Sequence, residues 1–177
     1  PTASVLGPAL FEATFAAWKT TKTDQEIACQ RGDAAERLAK YLFAKHGFQP
    51  SFENAIYDIN GQGTGECDLV FEDEENIILV ECKAKALTRG AMTGMQGDAL
   101  LDFAGGLFAS QAQALRHERI LRSVGSIHFS DGTRLDLRDR QITRLTATLL
   151  DHGALQDRWM LSNVYNALLS AQVTCDS

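Results

Sequence analysis

Long apolar runs are missing from this sequence. No stretch approaches the ~18 residues that a membrane-spanning helix requires, and the start carries no basic, then apolar, then small-residue secretory pattern. The expectation is a protein with no membrane association, cytoplasmic by default. Proline is scarce, at three residues in 177, and low-complexity stretches, internal repeats and linkers are missing as well, which excludes fibrous and disordered classes. The four cysteines, Cys29, Cys67, Cys82 and Cys175, have no CxxC or Cys/His spacing, so a structural zinc site is not expected and free thiols are. His46, His117, His128 and His152 are scattered and suggest no catalytic histidine. Positive charge is not in surplus: 17 Lys and Arg against 23 Asp and Glu leave a net charge of -6, which argues against a surface built for indiscriminate phosphate binding.

What is present is an ordinary globular composition, 45% hydrophobic and 23% charged, in a chain of a size that suits one domain with a real core. The expected organisation is a single domain over 1–177. It has an N-terminal helical extension (1–23), a central core (24–125), and a hairpin, further strand and C-terminal helix (126–177). The patterning predicts a short helix near Pro8 to Lys19. A longer one follows from about Asp24 to His46, capped by Thr23 or Asp24 and stopped at Gly47, with Ala35, Leu38, Ala39, Leu42 and Phe43 as its apolar stripe and Glu36 at the stripe's edge. Strands are predicted near Phe52 to Ile59, Cys67 to Glu72 and Ile77 to Lys83. The last is apolar on both alternating sets, as a central strand covered on both faces should be.

A glycine-rich stretch from Thr88 to Gly97 leads into a helix from about Asp98 to Arg122, bent at Gly105-Gly106, with a stripe of Ala104, Leu107, Phe108, Gln111 and Leu115. Ser126 to Phe129 and Arg134 to Leu137 flank Ser130-Asp-Gly-Thr133, a hairpin signal. A strand from Ile142 to Leu150 and a closing helix from Asp157 to Gln172 complete the chain. The second half is arginine-rich, with Arg116, Arg119, Arg122, Arg134, Arg138, Arg140 and Arg144, either as solvated faces or as a local track for phosphates.

A symmetric hairpin closing on the turn Asp73 to Asn76 sets Asp68 opposite Glu81, with Lys83 on the same face. Opposed side chains have Cβ atoms ~4.5–5.5 Å apart, near enough for two carboxylates to share one ion. The same register sets Cys67 opposite Cys82 on the other face, as packing thiols in preference to a disulfide. Two acids among Ile, Leu and Val repel each other and lose hydration, so they need a compensating cation. Hard oxygen ligands with no histidine beside them select magnesium or manganese over zinc. The competing expectation is a charge ladder on a half-exposed sheet.

The order of these pieces resembles a known family. Glu36 in Gly32-Asp-Ala-Ala-Glu36, Asp68 in Glu66-Cys-Asp68, Glu81-Cys-Lys83 at the end of an apolar strand, and Gln111 on the next helix are similar to the PD-(D/E)XK nuclease superfamily. The resemblance covers roughly Asp24 to Gln113, and it departs from the motif's name where Glu66-Cys67 stands in place of a proline before the Asp. It implies an α/β, restriction-endonuclease-like fold, a mixed central β-sheet flanked by helices. It also implies Mg2+, with Mn2+ able to substitute, held by Asp68, Glu81 and the backbone carbonyl of Cys82, with Glu36 nearby directly or through water.

Lys83 would orient or help deprotonate the attacking water and stabilise charge on the phosphorus oxygens. Gln111 would either be structural or contact the lysine, a water on the metal or the substrate backbone. Lys85 is expected to be solvated, with phosphate contact as the alternative. The implied activity is hydrolysis of phosphodiester bonds in DNA, duplex or branched, by an endonuclease acting as a homodimer or beside an additional domain. The alternatives are a catalytically silent domain of the same fold that binds nucleic acid or a partner protein, and a protein unrelated to nucleic acid whose hairpin merely carries charges.

Overall fold

The computed structural model describes residues 10, 13–14, 16–18, 23–59, 61, 63–85, 87–93, 95–149, 159 and 162–163. The helices expected near Pro8 to Lys19 and from Asp157 to Gln172 lie almost entirely outside the described residues. The architecture is mixed α/β. Where the sequence suggests one domain over 1–177, contacts gather into two compact units, Pro1–Lys85 with Ala104–Leu150, and Ala86–Phe103 with Asp151–Ser177. No described helix is long and apolar enough to cross a membrane.

The first unit begins with helix α1, Asp24–Lys45. Thr23 accepts the Glu26 N–H while the Glu26 carboxylate accepts the Thr23 N–H, a reciprocal capping box. Gly47, at φ +85°, then takes the left-handed conformation that glycine tolerates best. The buried side of α1 is set by Ile27, Ala35 and Ala39, with Phe43 stacked on Phe71 at 4.5 Å. Leu38 and Leu42, expected in that stripe, are 44% and 48% exposed. The helix approaches the sheet through its small alanines, and that choice of face turns both leucines outward.

Strands β1 (Phe52–Asp58), β2 (Thr64–Glu72) and β3 (Asn76–Lys83) form an antiparallel meander, and β6 (Gln141–Thr148) pairs parallel to β3, giving the order β1-β2-β3-β6. The apolar β3 is central, as its sequence predicts. One cluster, containing Ala35, Ala39, Leu69, Phe71, Val80 and Cys82, packs under α1. The other holds Tyr57, Cys67, Val70, Ile77 and Leu79 with Leu121 of helix α4 (Ala109–Val124). Ile127 and Leu135 of the hairpin β4 (Ser126–His128) and β5 (Arg134–Asp136) complete it.

A local kink interrupts the alternation. Phe52 pairs with Val70 and Ala55 with Cys67 in one unbroken register, yet all four face the α4-side cluster. A regular strand puts residues three apart on opposite faces. The reversal falls at Asn54 and Asp68, the one position missing from the ladder, where Asn54 has φ +47°. Cys67 and Cys82 are therefore not neighbours on one face as expected: they lie in opposite clusters, both as free thiols.

In the second unit, α2 (Arg89–Met92) puts a helical turn within the glycine-rich stretch, and α3 (Gln96–Phe103) carries Asp102, whose Oδ2 accepts the Thr88 N–H. Back in the first unit, a π-helical turn, Ala104–Phe108, leads into α4. The buried positions Gly106, Ser110, Ala114, His117 and Leu121 keep helical spacing across it, so the buried face of α4 is one residue out of step with the expected Gln111 and Leu115.

Candidate functional site

The kink at Asp68 shapes the site. The β2–β3 ladder stops at Leu69 and Val80, and beyond it Asp68 Oδ2 accepts the backbone N–H of Cys82 at 2.7 Å. The Asp68 carboxylate has thus left the up-and-down alternation and lies between the two strands, buried, instead of standing beside Glu81 on one face.

Glu81 points to the α4 side and is 1% exposed. Its Oε1 lies 3.1 Å from His117 Nε2; its Oε2 is buried without a hydrogen-bond partner and sits 3.6 Å from Lys83 Nζ. Burial lifts the Glu81 pKa above the usual carboxylate range, the His117 contact and Lys83 pull it down, and the charge of Asp68 adds to the rise. Lys83, 25% exposed, reaches Gln113 Oε1 at 3.3 Å, and Gln113 Nε2 in turn donates to the Glu66 carbonyl.

Glu36 stands on the α1 side. Burial raises its pKa, as does the charge of Asp68, while a hydrogen bond from Asn54 lowers it. It lines a cleft of about 380 Å³ together with Asp33, Lys40, Glu53, Asn54 and Leu69. On the other side of the sheet a cleft of about 400 Å³ is lined by Thr64, Glu66, Gln113, Arg116 and His117. Burial also pushes up the thiols of Cys67 and Cys82, with nearby carboxylates adding to the effect, so both stay protonated.

Asp68, Glu81, Cys82 and Lys83 thus come together, with Glu36 within electrostatic reach across the sheet. Gln111 does not join them: its Nε2 donates at 2.8 Å to Oγ1 of Thr146 on β6, the same hydroxyl that pairs with Ser110 of α4. The amide at the lysine is Gln113. Lys85 lies against the π turn, where a side chain at Gly105 would come within 2.8 Å of its Nζ.

His117, dismissed on sequence as scattered, touches Glu81, and the premise that no histidine stands near the acids is corrected. The signal that could have found it is its helical spacing from Ser110, Ala114 and Leu121 on α4.

Among the described residues no three His, Cys, Asp or Glu side chains converge as a ready-made metal cage. Zinc and calcium need such cages, but magnesium does not: it is usually held by one or two carboxylates, keeping waters and substrate phosphates as its other ligands. A buried carboxylate pair with one orphaned oxygen fits that donor set. Compared with protein-family models, with curated proteins and with solved structures, the chain matches none.

Proposed function

We propose that this chain is a magnesium-dependent nuclease of the PD-(D/E)XK type, with a restriction-endonuclease-like fold, hydrolysing phosphodiester bonds in DNA. The observation that carries the reading is Glu81 Oε2, a buried carboxylate oxygen with no hydrogen-bond partner, close to Lys83 and under the field of Asp68. An anion so placed is expensive without a counter-charge, and one lysine neutralises only one of two acids.

Asp68, Glu81 and the Cys82 carbonyl would hold the cation, with Glu36 contributing from the α1 side. When bound, magnesium supplies positive charge beside the scissile phosphate and the acidity that makes water nucleophilic near neutral pH. Lys83 orients the attacking water and balances negative charge growing on the non-bridging oxygens. Gln113 holds the lysine's ammonium on that side of the strand. The water oxygen bonds to phosphorus as the ester P–O bond breaks; the leaving oxygen takes a proton, and the water's own proton passes to solvent. DNA as substrate, duplex or branched, rests on the resemblance alone, as does action as a homodimer or beside an additional domain.

The test is cleavage of plasmid and oligonucleotide DNA with magnesium or manganese, comparing the parent chain with Lys83→Met and Asp68→Asn. Metal-dependent cutting by the parent, reduced by about 10²-fold or more in both variants, is the expected result. Cutting that persists in both variants, or a folded parent that neither cuts DNA or RNA nor binds metal in calorimetry, removes the catalytic reading.

A further inference from the structure

Tyr57 and His117 form a buried chain that ends on Glu81. The Tyr57 hydroxyl oxygen lies 2.6 Å from His117 Nδ1, and His117 Nε2 lies 3.1 Å from Glu81 Oε1. The three residues come from β1, α4 and β3, and each is at most 2% exposed. Burying three polar groups has a desolvation cost that an apolar trio of the same shape would avoid.

Each ring nitrogen of His117 thus faces one oxygen, and which of them carries a proton depends on the tautomer. The arrangement in which an ionised Glu81 accepts from His117 Nε2 and the Tyr57 hydroxyl donates to Nδ1 satisfies all three groups at once. Burial raises the Tyr57 pKa, which keeps that hydroxyl protonated. Gly65 completes the arrangement: a Cβ there would fall 2.3 Å from Tyr57 Cζ, so only glycine lets the phenol ring occupy its place.

We infer that His117, oriented by Tyr57, is a positioning residue that pins Glu81 by one carboxylate oxygen and presents the other, Oε2, as a ligand for a divalent cation. The inference rests on the metal reading of Asp68 and Glu81. It adds that Glu81 is held in its ligating pose before any ion arrives, as outer-shell partners hold the ligands of metal sites. Asp68 is held in the same manner from its own side, because the Cys82 N–H occupies its Oδ2.

The experiment is calorimetric titration of the full chain with Mn2+ alone. The parent binds; His117→Leu, which keeps bulk and loses both ring nitrogens, binds about 10- to 100-fold more weakly; His117→Gln, whose amide still donates to Oε1, stays within about three-fold of the parent. Leu and Gln variants that melt lower yet bind Mn2+ like the parent overturn the positioning role and leave the metal site standing. A folded parent that binds no Mn2+ overturns both.

Should His117→Leu fail to fold, the unsubstituted chain decides by NMR of 15N-labelled histidine. An Nε2-protonated ring whose Nε2 resonance moves on adding Mg2+ supports the role. An Nδ1-protonated ring, or a resonance that does not move, overturns it.

Discussion

Asp68 Oδ2 accepts the Cys82 backbone N–H at 2.7 Å, just past the end of the β2–β3 ladder. A side chain here takes over a task that belongs to the neighbouring strand elsewhere in the sheet, so Asp68 closes the hairpin as well as serving as a candidate ligand. The two roles separate by substitution. Asp68→Asn keeps an oxygen for the Cys82 N–H and is expected to melt close to the parent while losing metal affinity. Asp68→Ala strands a buried N–H and is expected to lose a further 1–3 kcal/mol or so. Equilibrium denaturation of both variants checks this, and equal stabilities would remove the closing role.

The pH dependence of stability follows from Glu81 and Glu36, whose pKa values are raised, chiefly by burial. A carboxylate raised on folding contributes stability that is fully present below its unfolded value of about 4.3, and that is lost as pH climbs through the folded value. The groups facing Glu81 are Asp68, His117 and Lys83. Asp73 and Asp131 run the other way: turn hydrogen bonds hold them below the usual range, so what they contribute is lost only on acidification. Without metal, the melting temperature should therefore fall as pH rises above the ordinary glutamate range. Added Mg2+ should flatten that fall, because the cation favours the ionised acids. Thermal melts in EDTA and in Mg2+ across this window provide the check, and a metal-free melting temperature that rises through it contradicts the assignment.

Two glutamines two residues apart on α4 should behave differently. Gln113 holds Lys83, whereas Gln111 is spent on Thr146. Gln113→Ala is expected to slow cleavage by about ten-fold, because it releases Lys83, and to cost about 1 kcal/mol of stability for the lost hydrogen bonds. Gln111→Ala should leave the cleavage rate within about two-fold and lower stability by a similar 1 kcal/mol. Initial rates and melts of both variants decide; a larger rate loss in Gln111→Ala would reverse their roles.

The hairpin that brings Asp68 and Glu81 together was readable because strand pairing is local there: the Asp73 turn fixes the register, and the apolar run of β3 marks it as central. Three things were not readable. The kink at Asn54 depends on a single positive φ that no period announces, and it sent Cys67 and Cys82 to opposite faces. The inward face of α4 runs through Ser110, Ala114, His117 and Leu121, one residue off the stripe drawn through Gln111 and Leu115, and so brings His117 to Glu81. The third is the choice of the small Ala35 and Ala39 over Leu38 and Leu42, which reflects how close α1 comes to the sheet, a tertiary distance. In each case a local irregularity or a contact distant in sequence overrode a pattern that local periodicity alone had extended.

The parallel pairing of β3 with β6 has a consequence for how the chain is made. As the polypeptide leaves the ribosome, β1, β2 and β3 can pair as soon as they emerge, but β3 then presents Ile77-Ile-Leu-Val80 along an open edge until Gln141–Thr148 has been synthesised. Such an uncharged apolar edge is a template for pairing with other chains, and contacts so far apart in sequence form slowly. Among the described residues the sheet ends on that side with β6, whose Gln141, Thr143 and Arg144 make a more polar border. Chains truncated before Gln141 should therefore aggregate during synthesis, while the full-length chain passes the same stage only transiently.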